Sequence, residues 1–232
     1  MKAVQRAWER LSNAMRLYSE AAMRFPSLVQ VDREEAINNL DLAFEAKLEM
    51  FHTLYDVSKG LPGFKYFDHG DTSLLIVLRN AVHHWDHDLF ESMNARLGPE
   101  GALPKLAGAE FLMASYANVD DAWSSERYVL LHDFYARLAS PNVKNAPDLQ
   151  ALWESELRFA EISAHAKARR YPNSQVYINL MPIFISAMHR VCKWLETSAM
   201  KPKGFDGNVY SEHFLGPMGV DLGRVTYKTL RV

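Results

Sequence analysis

The sequence predicts a mainly α-helical bundle of 232 residues with a β-hairpin inserted at about residues 108–132. Three observations lead there. Long stretches repeat apolar residues at helical spacing. Clear cap, Gly and Pro signals separate them. One mid-chain region instead holds two short apolar runs divided by a polar loop.

The first helix covers residues 2–24, where Val4, Ala7, Trp8, Leu11, Met15, Leu17, Tyr18 and Ala22 recur, and Phe25-Pro26 is expected to end it. Asp32 is a good N-cap with Glu35 three residues on, a capping-box-like start. The helix it opens is expected to reach Ser58, with Ile37, Leu40, Leu42, Phe44, Leu48, Phe51, Leu54 and Tyr55 as its stripe, before Lys59-Gly60-Leu61-Pro62-Gly63. A third helix of about six turns is expected from Thr72 to Asn94 or slightly beyond, since no Gly or Pro interrupts it. Glu110–Tyr116 and Arg127–His132 are the two short runs read as a hairpin; two short helices compete, because Leu, Met and Ala favour helix. Helices are then expected at 133–139, at 147–170 and at about 173–198, with Pro182 either kinking the last or marking its real first turn. Residues 1–200 thus form one bundle domain, and 201–232 a glycine-rich tail packed on the body or on a partner.

Composition narrows the function classes. Charge is nearly balanced, 26 basic against 28 acidic residues, which argues against a broad nucleic-acid or membrane surface. Hydrophobic residues make up 48%, an ordinary globular value. Cys192 has no partner for an internal disulfide and lies in an apolar helical segment, so it reads as a small core residue in a reducing compartment. No apolar run approaches the roughly 20 residues of a membrane span, and the first residues lack the uncharged core of a signal peptide. A cytoplasmic protein with no membrane association is expected. No P-loop, Rossmann glycine pattern, serine elbow or Cys-x-x-Cys occurs, and no cofactor is expected.

The chemistry concentrates in the third helix. Leu74-Leu75-Ile76-Val77-Leu78 turns abruptly into Arg79-Asn80-Ala81-Val82-His83-His84-Trp85-Asp86-His87-Asp88. Arg79 and His83 share a face, Asn80 and His84 the neighbouring one, and His83 and His87 are again four apart. Arg and His are rarely buried without partners, so a core network, a metal, a second subunit or a ligand must satisfy them.

Arg79-Asn80-Ala81-Val82-His83-His84, an Arg followed by a polar residue, three more residues and a His on a helix of a bundle, resembles the motif of the HEPN superfamily. The resemblance covers these six residues and, loosely, the helical body around them. It implies metal-independent endoribonuclease chemistry in a composite site between two subunits, with a toxin or defence role. On that likeness Arg79 contacts the scissile phosphate, Asn80 supports it, and His84 is acid or base. A homodimer, RNA and an inhibitory partner protein are the implied partners. Two residues past the motif histidine, where some HEPN toxins carry a Tyr, this chain has Asp86. A guanidinium can grip nonbridging phosphate oxygens, and an imidazole can move protons near neutrality.

Two other readings use the same residues. In one they are structural: Arg79 pairs with Asp86 or with a glutamate of another helix, and the chain is a non-catalytic interaction or dimerisation module. In the other, His83 and His87 chelate a metal with Asp86 or Asp88, and Glu49-Met-Phe-His52 is a Glu-x-x-His pair of the kind di-iron bundles use twice. The basic end at His165, Lys167, Arg169 and Arg170 reads as cations favoured at a helix C-terminus. Trp8, Trp123, Trp153 and Trp194 read as core or interface anchors.

Overall fold

The computed structural model describes residues 2–83, 89–118 and 125–232, the side chain of Leu103 excepted. Helices dominate, and a four-stranded sheet is set against them. α1 (Lys2–Leu28) and α2 (Arg33–Ser58) form a helical hairpin. Asp32 caps α2, its carboxylate accepting from Glu35 N at 2.9 Å. Trp8, Leu11, Met15 and Tyr18 of α1 join Leu40, Phe44, Leu48 and Phe51 of α2 in the main core. Tyr18 and Phe44 meet edge-on, with centroids 5.8 Å apart.

Two details differ from expectation. α1 does not end at Phe25-Pro26. The missing proline N–H removes one helical bond, yet Val29 N still donates to Phe25 O at 2.9 Å and the chain continues into the cap of α2. Leu17 of α1 and Leu42 of α2 lie off the buried stripes and are 48% and 63% exposed.

A 3-10 turn at Tyr66–Asp68 leads into α3 (Gly70–His83), whose Leu74–Leu78 run is wholly buried. The expected helix to Asn94 does not form as one element. Past residue 88 the backbone is not helical, Phe90 has φ 67°, and α4 (Met93–Leu97) is a separate helix capped by Ser92. The turn lets Phe90 bury its ring 4.8 Å from Phe134, while its N–H donates to Asp133 at 2.8 Å. A straight helix offers neither contact. A short helix, α5 (Ala102–Lys105), precedes the sheet.

The hairpin is not formed. β1 (Glu110–Asn118) and β2 (Tyr128–Leu130) exist, but β3 (Val176–Asn179) lies between them in a sheet ordered β2-β3-β1-β4, where β4 is Val220–Arg231. β3 runs parallel to β1 and antiparallel to β2, and β4 runs antiparallel to β1. All four residues of β3 are buried, so Val176, Tyr177 and Ile178 gain more inside the sheet than as the helical turn expected of them. α9 (Leu180–Thr197) therefore starts later than predicted. Asn179 caps it by accepting from Met181 N at 3.1 Å, and Pro182 falls in its first turn.

α6 (Leu131–Leu138) follows β2 directly. The helix expected at 147–170 is two, α7 (Ala146–Glu156) and α8 (Phe159–Ala168), broken where Arg158 adopts φ 57°. The break buries Leu157 and Phe159 together and presents the Leu157 carbonyl to Tyr116 Oη at 2.6 Å. The tail contains α10 (Phe205–Leu215) and β4. Glu9 accepts from the N–H groups of Lys203 and Gly204, Arg16 Nε reaches Asp206 at 3.0 Å, and Phe214 enters the main core. A Cβ at Gly207 would stand 2.5 Å from that of Pro202 within the tail and 2.7 Å from Glu9 Oε2 of α1, so the close packing here favours glycine.

Trp8, Trp153 and Trp194 are buried, and Trp153 donates to Ser73 Oγ at 3.0 Å; Trp85 and Trp123 lie outside the described residues. Cys192 is buried, and burial pushes its thiol pKa up. Among the described residues no helix is long and apolar enough to cross a membrane.

Candidate functional site

α3 leaves the core at its C-terminal end. Leu78 is buried, Arg79 and Asn80 are half-buried, and His83 is exposed. Arg79, Val82 and His83 line one wall of an open groove of about 520 Å³, and Leu42, Glu45, Ala46 and Glu49 of α2 line the other. Glu49 meets the guanidinium as a fork: Arg79 Nε donates to Oε2 at 2.7 Å and Nη2 to Oε1 at 2.8 Å. The third nitrogen, Nη1, donates to Asn80 Oδ1 at 3.2 Å. Hydrogen bonding from Arg79 holds the Glu49 carboxyl below its usual range, helped by the charges of Arg79, His83 and His52 and opposed by burial.

Of the three motif residues, Arg79 and Asn80 are therefore together, and His84 lies outside the described residues. So do Asp86, His87 and Asp88, three of the four groups named for a metal; His83 alone of that set is described. The Glu-x-x-His pair is otherwise engaged. Glu49 holds Arg79, while His52 Nδ1 sits 3.2 Å from Asp56 Oδ2. Burial, then the nearby charge of Arg79, keeps His52 below its ordinary pKa. Among the described residues no group of three His, Cys, Asp or Glu is placed to hold a metal.

The basic end of α8 is elsewhere. His165 stacks on Tyr227 of β4 at 3.8 Å, and Lys167 and Arg170 line a groove with His132 and Tyr171 that shares no residue with the Arg79 groove.

A second charged group was not foreseen. Lys47 on α2 is 1% exposed and has no carboxylate partner among the described residues. Its Nζ lies 3.8 Å from the Tyr18 ring centroid, 4.1 Å from that of Phe184 and 4.8 Å from that of Phe44, and donates to Met181 Sδ at 3.3 Å. Burial drives its pKa well below the ordinary lysine value, with the charge of Arg127 adding to the effect. Arg127 stacks on the same Phe44 ring at 4.5 Å and pairs with Asp41, which also accepts from Ser92 Oγ at 2.8 Å. One signal was available. Lys47 follows Phe44 by three residues and precedes Phe51 by four, so it falls on the apolar stripe of α2.

Comparison with known proteins gives no match to any family model, curated protein or solved structure.

Proposed function

We propose that this chain is a HEPN-like, metal-independent endoribonuclease acting as a homodimer in the cytoplasm, with Arg79, Asn80 and His84 as its working residues. The observation that carries the reading is the Arg79–Asn80 couple, hydrogen-bonded at 3.2 Å, with Arg79 on the wall of an open groove at the polar end of an otherwise buried helix. In the reaction the RNA 2′-hydroxyl attacks the adjacent phosphorus and the bond to the 5′-oxygen breaks. A 2′,3′-cyclic phosphate and a 5′-hydroxyl result. His84 moves a proton on one side of this exchange, and the partner subunit's copy supplies the other. Arg79 stabilises the charge gathering on the nonbridging oxygens. For this its guanidinium must trade the Glu49 carboxylate for phosphate, and the side chain of Glu49 is 41% exposed against 14% for Arg79.

The same fork favours a second reading. A guanidinium already satisfied by a carboxylate is a clamp between α2 and α3, and the chain is then a helical interaction module. Incubation of single-stranded RNA with chelator separates the two. The ribonuclease reading expects cyclic-phosphate ends, with Arg79→Ala and His84→Ala each about a hundredfold slower or more, and Glu49→Gln at least as active as the native chain. Intact RNA after long incubation with the native dimer, or with a chain that light scattering finds monomeric, leaves the interaction module.

A further inference from the structure

α2 presents its opposite face to a second hollow. Arg33, Ile37 and Leu40 border a cavity of about 860 Å³ between the α1–α2 turn, α4, the Ser125–Tyr128 segment and the end of β4. Its volume is that of a site for a small organic molecule. The walls are largely apolar: Phe25, Ile37, Leu40, Leu97, Met113 and Leu230 contribute. They lie between the main core and a smaller cluster built from Met93, Leu97, Phe111, Tyr128, Leu130 and Tyr177.

The charged side chains on this cavity are mostly cationic, Arg33, Arg127 and Arg231 against Glu126. Arg127 is 7% exposed and lines it. Asp41 takes Nη1, and the face of the guanidinium rests on Phe44. Its buried Nε has no acceptor among the described residues. Burying a charged donor without an acceptor is unfavourable, so the guanidinium as a whole is under-compensated and favours a negative charge on the cavity it lines. Arg33 stands on the rim with a 3.4 Å bond to the Gly98 carbonyl. Glu126, an acid of the same wall, accepts from Lys228 Nζ and Tyr128 Oη at 3.3 and 3.4 Å.

We infer that this cavity binds an alkyl carboxylate, its chain along Phe25, Leu40 and Leu97 and its head group against Arg127 and Arg33. A flat, singly charged head suits a guanidinium fork of which one arm is already occupied. The apolar walls suit a hydrocarbon chain and exclude a nucleotide, whose ribose and phosphates need polar contacts on all sides.

Titration calorimetry of the whole chain with decanoate, decanol and decyltrimethylammonium, each below its micelle concentration, tests this. Decanoate should bind saturably at one per chain. Decanol should bind at least about tenfold more weakly, and the cationic analogue should not bind. Met113→Trp, which fills the cavity from half-buried β1, should abolish binding. Arg33→Gln should weaken it several-fold, and serves if Arg127→Lys fails to fold. Equal affinity for decanoate and decanol, undiminished binding to Met113→Trp, or no saturable binding at all would each overturn the proposal.

Discussion

Arg79 and Lys47 are cations on facing helices, and the fold treats them in opposite ways. Arg79 sits at the end of a buried helix, and Glu49 meets it with two hydrogen bonds in a groove open to water. Lys47 sits mid-helix among Tyr18, Phe44 and Phe184 with no carboxylate partner among the described residues. A guanidinium is obliged to remain charged and so must be partnered. An amine can shed its proton and survive in an apolar cage. The neighbouring Arg127 supports that division, since it too is buried and it too has a carboxylate, Asp41. The open pair is free to exchange its partner for a ligand; the caged amine is not.

Three measurements sharpen the contrast. The largest effect belongs to the buried pair. Asp41→Ala leaves Arg127 charged and uncompensated and should cost about 3–5 kcal/mol in urea unfolding, the usual result of removing one partner of a buried ion pair. Retention of native stability would mean that Arg127 finds water or another acceptor.

Next comes Lys47→Met, which should stabilise the chain by about 1–3 kcal/mol at neutrality, because burying an ionisable group unpaired is unfavourable. The sign of the pH dependence follows from its depressed pKa in the folded state. Below the ordinary lysine value the unfolded chain binds a proton that the folded chain does not, so the native protein gains stability as pH rises toward about 10. The advantage of Lys47→Met should therefore shrink over that range. An advantage independent of pH would mean that Lys47 stays charged.

The smallest effect is that of the open pair. A double-mutant cycle on Arg79→Ala and Glu49→Ala should give a coupling of about 0.5–1 kcal/mol, since the Glu49 side chain is 41% exposed and screened. The carboxyl of Glu49 is held low, so this contribution should be present at neutrality and disappear as acid carries the pH down through its folded-state pKa. Coupling of several kcal/mol would mark the fork as a structural clamp.

Much of the helical frame was legible from local signals. Asp32 and Glu35 announced α2, and Pro182 announced the start of α9 as one of two options. The candidate site was legible in part. Arg79 and Asn80 were legible because an ionic run so close behind five apolar residues is conspicuous. Glu49 was noticed for its spacing to His52, not for its reach across to Arg79. Lys47 went unnoticed because a lysine on an apolar stripe ordinarily stretches its head to water. Here Tyr18, Phe44 and Phe184, from three helices, close over it.

By itself, the sequence determined the helical class, the cap of α2, the buried faces of the helix hairpin and the presence of short strands near residues 110 and 128. Each depends on neighbours within a turn or two of helix, where periodicity and capping act directly. Only the tertiary structure decided that Val176–Asn179 would leave a helical pattern to separate β1 from β2. The same holds for the division of the long helices at Phe90 and Arg158, and for the binding of Arg79 by Glu49. These outcomes depend on partners 30 or more residues away. Their free energies arise from burial and hydrogen bonding across the fold, and local propensity is too small to oppose them.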